Sequence, residues 1–286
     1  MSDNTEAKAD TALNTFLFVN LASYVFNVFV TFGIGTFGLF GRPDNGTLSD
    51  KYQTILTPSG SAFSIWGIIF IAQAIWVVVQ WWPSFRNSRF VRNIGFGYAF
   101  VCLMQAGWTV SFSFEIQWLA YIFMVAINLG LNYCVRQMQR TEKSIAQYFL
   151  WQFPFSLHCG WIFAATALNT NVLAVAYNGS RMVQIVVAAA CLVILLGVAM
   201  TWLSSFPVDL TIPLVLVWAL GWIYAELQAP RESIVQRFET RDIEAFGYAA
   251  LAGAGTILVL TSIKIVYVCV VQRPRAKPAG EEALPR

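Results

Sequence analysis

Charge is scarce in this sequence. Asp, Glu, Lys and Arg make up 12% of its 286 residues, where an ordinary soluble domain carries roughly 25%. That shortage excludes a soluble fold, whose outer faces would have too few polar groups to cover them. Histidine is scarcer still: the single one, His158, excludes a metal site of the usual several-histidine type. Its neighbour Cys159 does not compensate, because adjacent helix positions point about 100° apart. The five cysteines fall within or at the ends of apolar stretches and form no CxxC pair, so they read as small membrane residues rather than disulfide partners.

Signature motifs are missing too. There is no P-loop, dinucleotide fingerprint, GxSxG elbow or HExxH, which removes the common nucleotide, hydrolase and zinc-protease readings and leaves no catalytic residue to expect. The net charge of +3 gives no footing for a nucleic-acid partner. Residues 1–13 are polar and are expected to lie in the cytoplasm. They lack the basic region and cleavage site of a secretory signal, so the first apolar stretch is expected to be retained. The segment 272–286, with its prolines and charges, is expected to be mobile.

What is abundant is apolar sequence, 57% of the chain, in runs of about 20 residues long enough to span a bilayer as helices. Eight such spans are expected, at 14–39, 61–82, 95–113, 116–134, 147–168, 182–204, 209–226 and 245–271. The runs are continuous rather than alternating, which favours helices over barrel strands. The fold class is therefore all-α, a polytopic transmembrane helix bundle in contact with the lipid bilayer. Eight spans place eleven Lys and Arg residues on one side and six on the other, with Lys264 inside the last span. By the positive-inside rule both termini are cytoplasmic.

The polar and aromatic residues of the first five spans form stripes when helical rotation is applied. Asn20, Tyr24, Asn27 and Thr31 share one face; so do Phe63, Trp66, Phe70 and Gln73; so do Gln105, Trp108, Phe112 and Glu115. Asn128 lies on such a stripe in the fourth span, and His158, Trp161 and Asn169 on one in the fifth. Polar groups in hydrocarbon must turn toward protein or a wet cavity, so five stripes imply a shared interior. Amides also serve simply as interhelical hydrogen-bond partners worth about 0.6 kcal/mol each, and that reading stays open for any single one. Indoles are poor choices for tight helix packing, which favours a cavity for something flat and apolar. The sixth span, by contrast, has no polar residue from Ile185 to Met200 and should face lipid.

Three segments together resemble the translocator protein and tryptophan-rich sensory protein (TspO/MBR) family. The first is the loop at Pro58 leading to Phe63 and Trp66; the second is Gln105-Ala-Gly-Trp108 with its following aromatics, where the family has Asn in place of Gln. The third runs from Pro154 through Trp161 to Asn169. The resemblance covers residues 14–176 and treats 177–271 as three additional transmembrane helices. It implies a five-helix unit binding porphyrins, sterols or related flat molecules, for sensing, transport or turnover. Residues on the candidate interior faces are Phe63, Trp66, Gln105, Trp108, Asn128, His158, Trp161 and Asn169. A secondary transporter of a small solute and a non-catalytic subunit of a membrane assembly are the competing readings, and a homo-oligomer is compatible with the sequence.

Overall fold

The computed structural model describes residues 2–86, 88–141 and 143–271, and the expected mobile tail at 272–286 lies outside them. The helices, in order, are α1 (Ser2–Val30), α2 (Asn45–Lys51), α3 (Ile65–Val79), α4 (Pro83–Arg86), α5 (Arg89–Ile94), α6 (Gly97–Ser113) and α7 (Gln117–Gln139). Then come α8 (Ile145–Gln147), α9 (Phe153–Ala176), α10 (Arg181–Ser204), α11 (Thr211–Gln228), α12 (Glu232–Val235) and α13 (Thr240–Val271). A π-turn, Thr31–Thr36, continues α1, a 3₁₀ turn, Gly60–Ser64, leads into α3, and a second π-turn, Tyr148–Gln152, joins α8 to α9. Among the described residues there is no strand.

Among the described residues seven helical stretches are long and apolar enough to cross a membrane. The remaining expected span is α6, whose 17 residues sit at the lower limit of about 17–25 for a crossing. It nevertheless runs alongside the chain from Phe16 in α1 to Gly35 in the π-turn. The Phe96 ring at its start meets Phe16 edge-on at 4.9 Å, and Thr109 near its end lies against Gly35 at the far end of the α1 π-turn. The all-α polytopic bundle is as the apolar runs predict, with seven of the eight expected spans meeting that length and apolarity among the described residues.

Boundaries differ where polar side chains are satisfied inside a helix. The fifth span was expected to close at 168, yet the helix continues to Ala176. Asn169, Thr170 and Asn171 each donate to the carbonyl four residues back, Ala165 O at 2.8 Å, Thr166 O at 2.8 Å and Ala167 O at 2.9 Å, so their polarity does not oppose helix in hydrocarbon. The first helix starts at Ser2, within the stretch expected to be a polar cytoplasmic N-terminus.

At the centre stands α9, packed against α3, α7, α10 and α11. Along the most apolar part of Ile145–Ala176 half the residues are buried, against 28% for α10 and 22% for α13. The sixth span is thus largely lipid-facing, and the eighth more so. The join between α9 and α11 is close at Gly160, where an added Cβ would stand 2.8 Å from Val215 Cβ and 3.2 Å from the Ile212 backbone.

Candidate ligand cavity

The loop at 52–59 is where the site is assembled. Thr57 Oγ1 accepts from the Thr54 amide at 2.9 Å, and the Ser59 amide donates to Trp222 O on α11 at 3.2 Å. The loop then delivers Pro58 and Phe63 to the start of α3, which carries Trp66 and Phe70 on the face one turn apart. Helix α6 presents Gln105, Trp108 and Phe112 at the matching spacing, and α9 presents Leu168, Asn169 and Val172.

These faces enclose a cavity of about 590 Å³, within the range of a small-molecule site. Its walls are aromatic. The Trp66 and Phe70 rings stack with centroids 5.7 Å apart, and those of Trp108 and Phe112 at 5.1 Å. Its mouth is polar, formed by Thr31 and Thr36 at the end of α1, Asn45, Ser49 and Asp50 on α2, and Arg231 beyond α11. A smaller recess of about 60 Å³ adjoins it, sharing Phe63, Trp66 and Trp108 and floored by Trp161, Ala219 and Ile223.

The eight residues singled out from sequence fall into three groups. Phe63, Trp66, Gln105, Trp108 and Asn169 line the large cavity, and Trp161, 2% exposed, lines only the recess. Asn128 and His158 stand outside both linings. Asn128 Nδ2 donates to Thr166 Oγ1 at 3.1 Å while its Oδ1 accepts from Asn132 at 2.8 Å, pinning α7 to α9. His158 Nδ1 lies 2.9 Å from Gln73 Nε2, and its ring packs edge-on against Trp66 at 5.4 Å.

The amides lining the cavity differ in one respect. Asn169 is fully engaged, accepting from Trp108 Nε1 at 3.1 Å and donating to Ala165 O. Gln105 is 1% exposed, and neither its Oε1 nor its Nε2 has a partner among the described residues. A buried amide without partners is costly, and here it belongs to the wall of a cavity.

Arg231, Ser49, Asp50 and the rest of α2 escape a reading based on apolar stripes. The local sign of α2 is Asp44 followed by Thr47, a helix N-cap pattern. Asp44 Oδ1 accepts from the Thr47 amide at 2.9 Å and Oδ2 from its hydroxyl, and these bonds hold the Asp44 carboxyl below its ordinary range. At its other end α2 is tethered through Lys51 and Tyr52, which both donate to Glu115 in the turn between α6 and α7. Glu115 is held in the left-handed region at φ 60°. Its hydrogen bond from Lys51, then that from Tyr52, depress its carboxyl below the usual value.

Among the described residues no three His, Cys, Asp or Glu side chains come together as a metal site would need. A family model described as TSPO-like protein matches residues 17–263, reaching well past the 14–176 segment that carries the motifs. No curated protein and no solved structure matches the chain.

Proposed function

The chain belongs to the TSPO-like family, and from that premise we propose that it binds a flat, largely apolar molecule of porphyrin or sterol type in the cavity between α1, α3, α6 and α9. The observation that carries this reading is a space of about 590 Å³ walled by the indoles of Trp66 and Trp108, each stacked on a phenyl ring, with the unpartnered Gln105 amide buried behind that wall. Aromatic faces favour a flat ring system by offset stacking, and a Gln105 amide that turns into the cavity can fix its orientation. Sensing, transport and turnover all require this binding step.

Titrating purified protein with protoporphyrin IX while following tryptophan fluorescence tests the reading. Saturable quenching is expected, weakened in Trp66→Leu and Trp108→Leu and retained in Trp82→Leu, whose ring is 65% exposed at a span end. Equal quenching in all three variants sinks the site.

The same reading puts both termini on the cytoplasmic face, supported by the basic residues gathered in the loops at that end. An impermeant thiol reagent added to intact cells should then label Gln236→Cys but leave Thr141→Cys unlabelled until the membrane is opened. The reverse pattern inverts the topology.

A further inference from the structure

Resting on the cavity reading above, we propose that the recess beside the large cavity receives a short apolar arm of the ligand, so that the preferred ligands are flat ring systems bearing a small uncharged side group such as a vinyl, with Ala219 on α11 setting how much of it fits. The recess measures about 60 Å³, several times the roughly 10–15 Å³ that one water needs. Folded interiors leave few voids larger than a water. This one adjoins the large cavity along Pro58, Phe63, Trp66 and Trp108, which line both. Its single amide side chain, Asn169, is already turned to Trp108 Nε1 and Ala165 O. Water is therefore poorly held there, and an apolar group is favoured.

The space exists because side chains stop short around it. Ala164 and Ala165 on α9 and Ala219 on α11 each end at Cβ, beside the rings of Phe63, Trp66 and Trp161. Trp161 meets Phe63 edge-on at 5.6 Å and Trp66 at 6.4 Å, which fixes the aromatic side of the recess. Ala219 is buried, and so is Ile223 one turn further along α11, so neither is a lipid-facing position left small for want of a neighbour. Both belong to the part of the chain beyond the five striped helices. Those five supply the stacking faces, and α11 supplies the floor that selects what projects from the ring. A ring lying against Trp66 and Trp108 brings one edge to the shared rim, and a small group on that edge enters the recess without displacing an ion pair or a hydrogen bond. A bare edge leaves the void unfilled and forgoes those contacts.

The test compares protoporphyrin IX with deuteroporphyrin IX on the full chain. The two share their ring and acid groups, and the first carries vinyl arms where the second has hydrogens, so any effect of charge cancels in the ratio of their affinities. In the native protein protoporphyrin should be favoured about tenfold beyond any preference set by detergent, the scale of one small group filling an apolar pocket. Ala219→Leu should bring the ratio to the detergent baseline and Ala219→Val to an intermediate value, while both variants bind deuteroporphyrin as the native protein does. No preference in the native protein, or a ratio unchanged in Ala219→Leu, overturns the proposal and makes the recess a packing gap. Loss of both porphyrins in both variants also overturns it, since Ala219 then supports the whole cavity rather than one arm. If neither porphyrin binds the native protein, the cavity reading itself fails and takes this one with it.

Discussion

A primary amide presents a donor and an acceptor side by side, and burying both without partners forfeits hydrogen bonds that water would supply. Gln105 carries that cost in the wall of the cavity. Replacing it with Leu removes the polar atoms at similar volume, so the unliganded protein should become more stable, by about 1 kcal/mol, while affinity for protoporphyrin falls. Thermal unfolding in detergent and the fluorescence titration read the two effects separately. A loss of stability with affinity unchanged would make Gln105 an ordinary packing residue. Helical periodicity places Gln105, Asn128 and Asn169 alike on interior faces, but it cannot say which amide is spoken for. Asn169 is taken by an indole 61 residues earlier and Asn128 by a hydroxyl 38 residues later. Only the three-dimensional packing leaves Gln105 free.

Two elements hold the helices around the site, α2 at its mouth and α11 behind it, and each has its own test. Helix α2 is tethered by Lys51 and Tyr52 to Glu115. Because the folded-state value of Glu115 lies below its ordinary 4.5, its contribution is full above that value and is lost as pH falls through the lowered one. Hydrogen exchange of the α2 amides should therefore accelerate as pH drops below about 4.5, beyond the intrinsic pH effect, and Glu115→Gln should abolish that extra dependence. An identical profile in the variant removes the tether from the account. At the other wall, α11 reaches α9 at Gly160, where Val215 is branched at the contacting carbon and cannot swing away. Gly160→Ala should cost about 1–3 kcal/mol by overpacking, seen as a lower unfolding temperature, and a neutral result would mean that the helices part freely. Neither element is visible as a stripe. α2 is a seven-residue polar helix marked only by its Asp44 cap, and Gly160 has no signal until its neighbour is known.

At the scale of the whole molecule, hydropathy was enough to read an all-α polytopic bundle, because hydrocarbon forces every backbone group into internal hydrogen bonds and leaves length and apolarity to set the spans. The same force is blind to which helices touch. The division into a five-helix unit and three additional helices follows the motifs, whereas the packing joins them: Trp218 Nε1 donates to Ala62 O at 3.1 Å, and Arg237 donates to Gln53 O at 2.5 Å. The family match spans residues 17–263 and so takes in helices of both parts.

These joins have a consequence in time. Gln53, Asp50 and the Gln53 carbonyl wait for partners 173, 181 and 184 residues further along the chain. At ribosomal speeds of about 5–20 residues per second, that delay is roughly 10–40 s. In the last part of that interval, after the fifth striped helix is complete at Ala176 and before Glu226 to Arg237 are made, the five striped helices can already be in the membrane with the rim of their cavity unfastened. Synthesis thus opens a window in which a bulky guest could enter a half-built vessel, before the last helices arrive to close it.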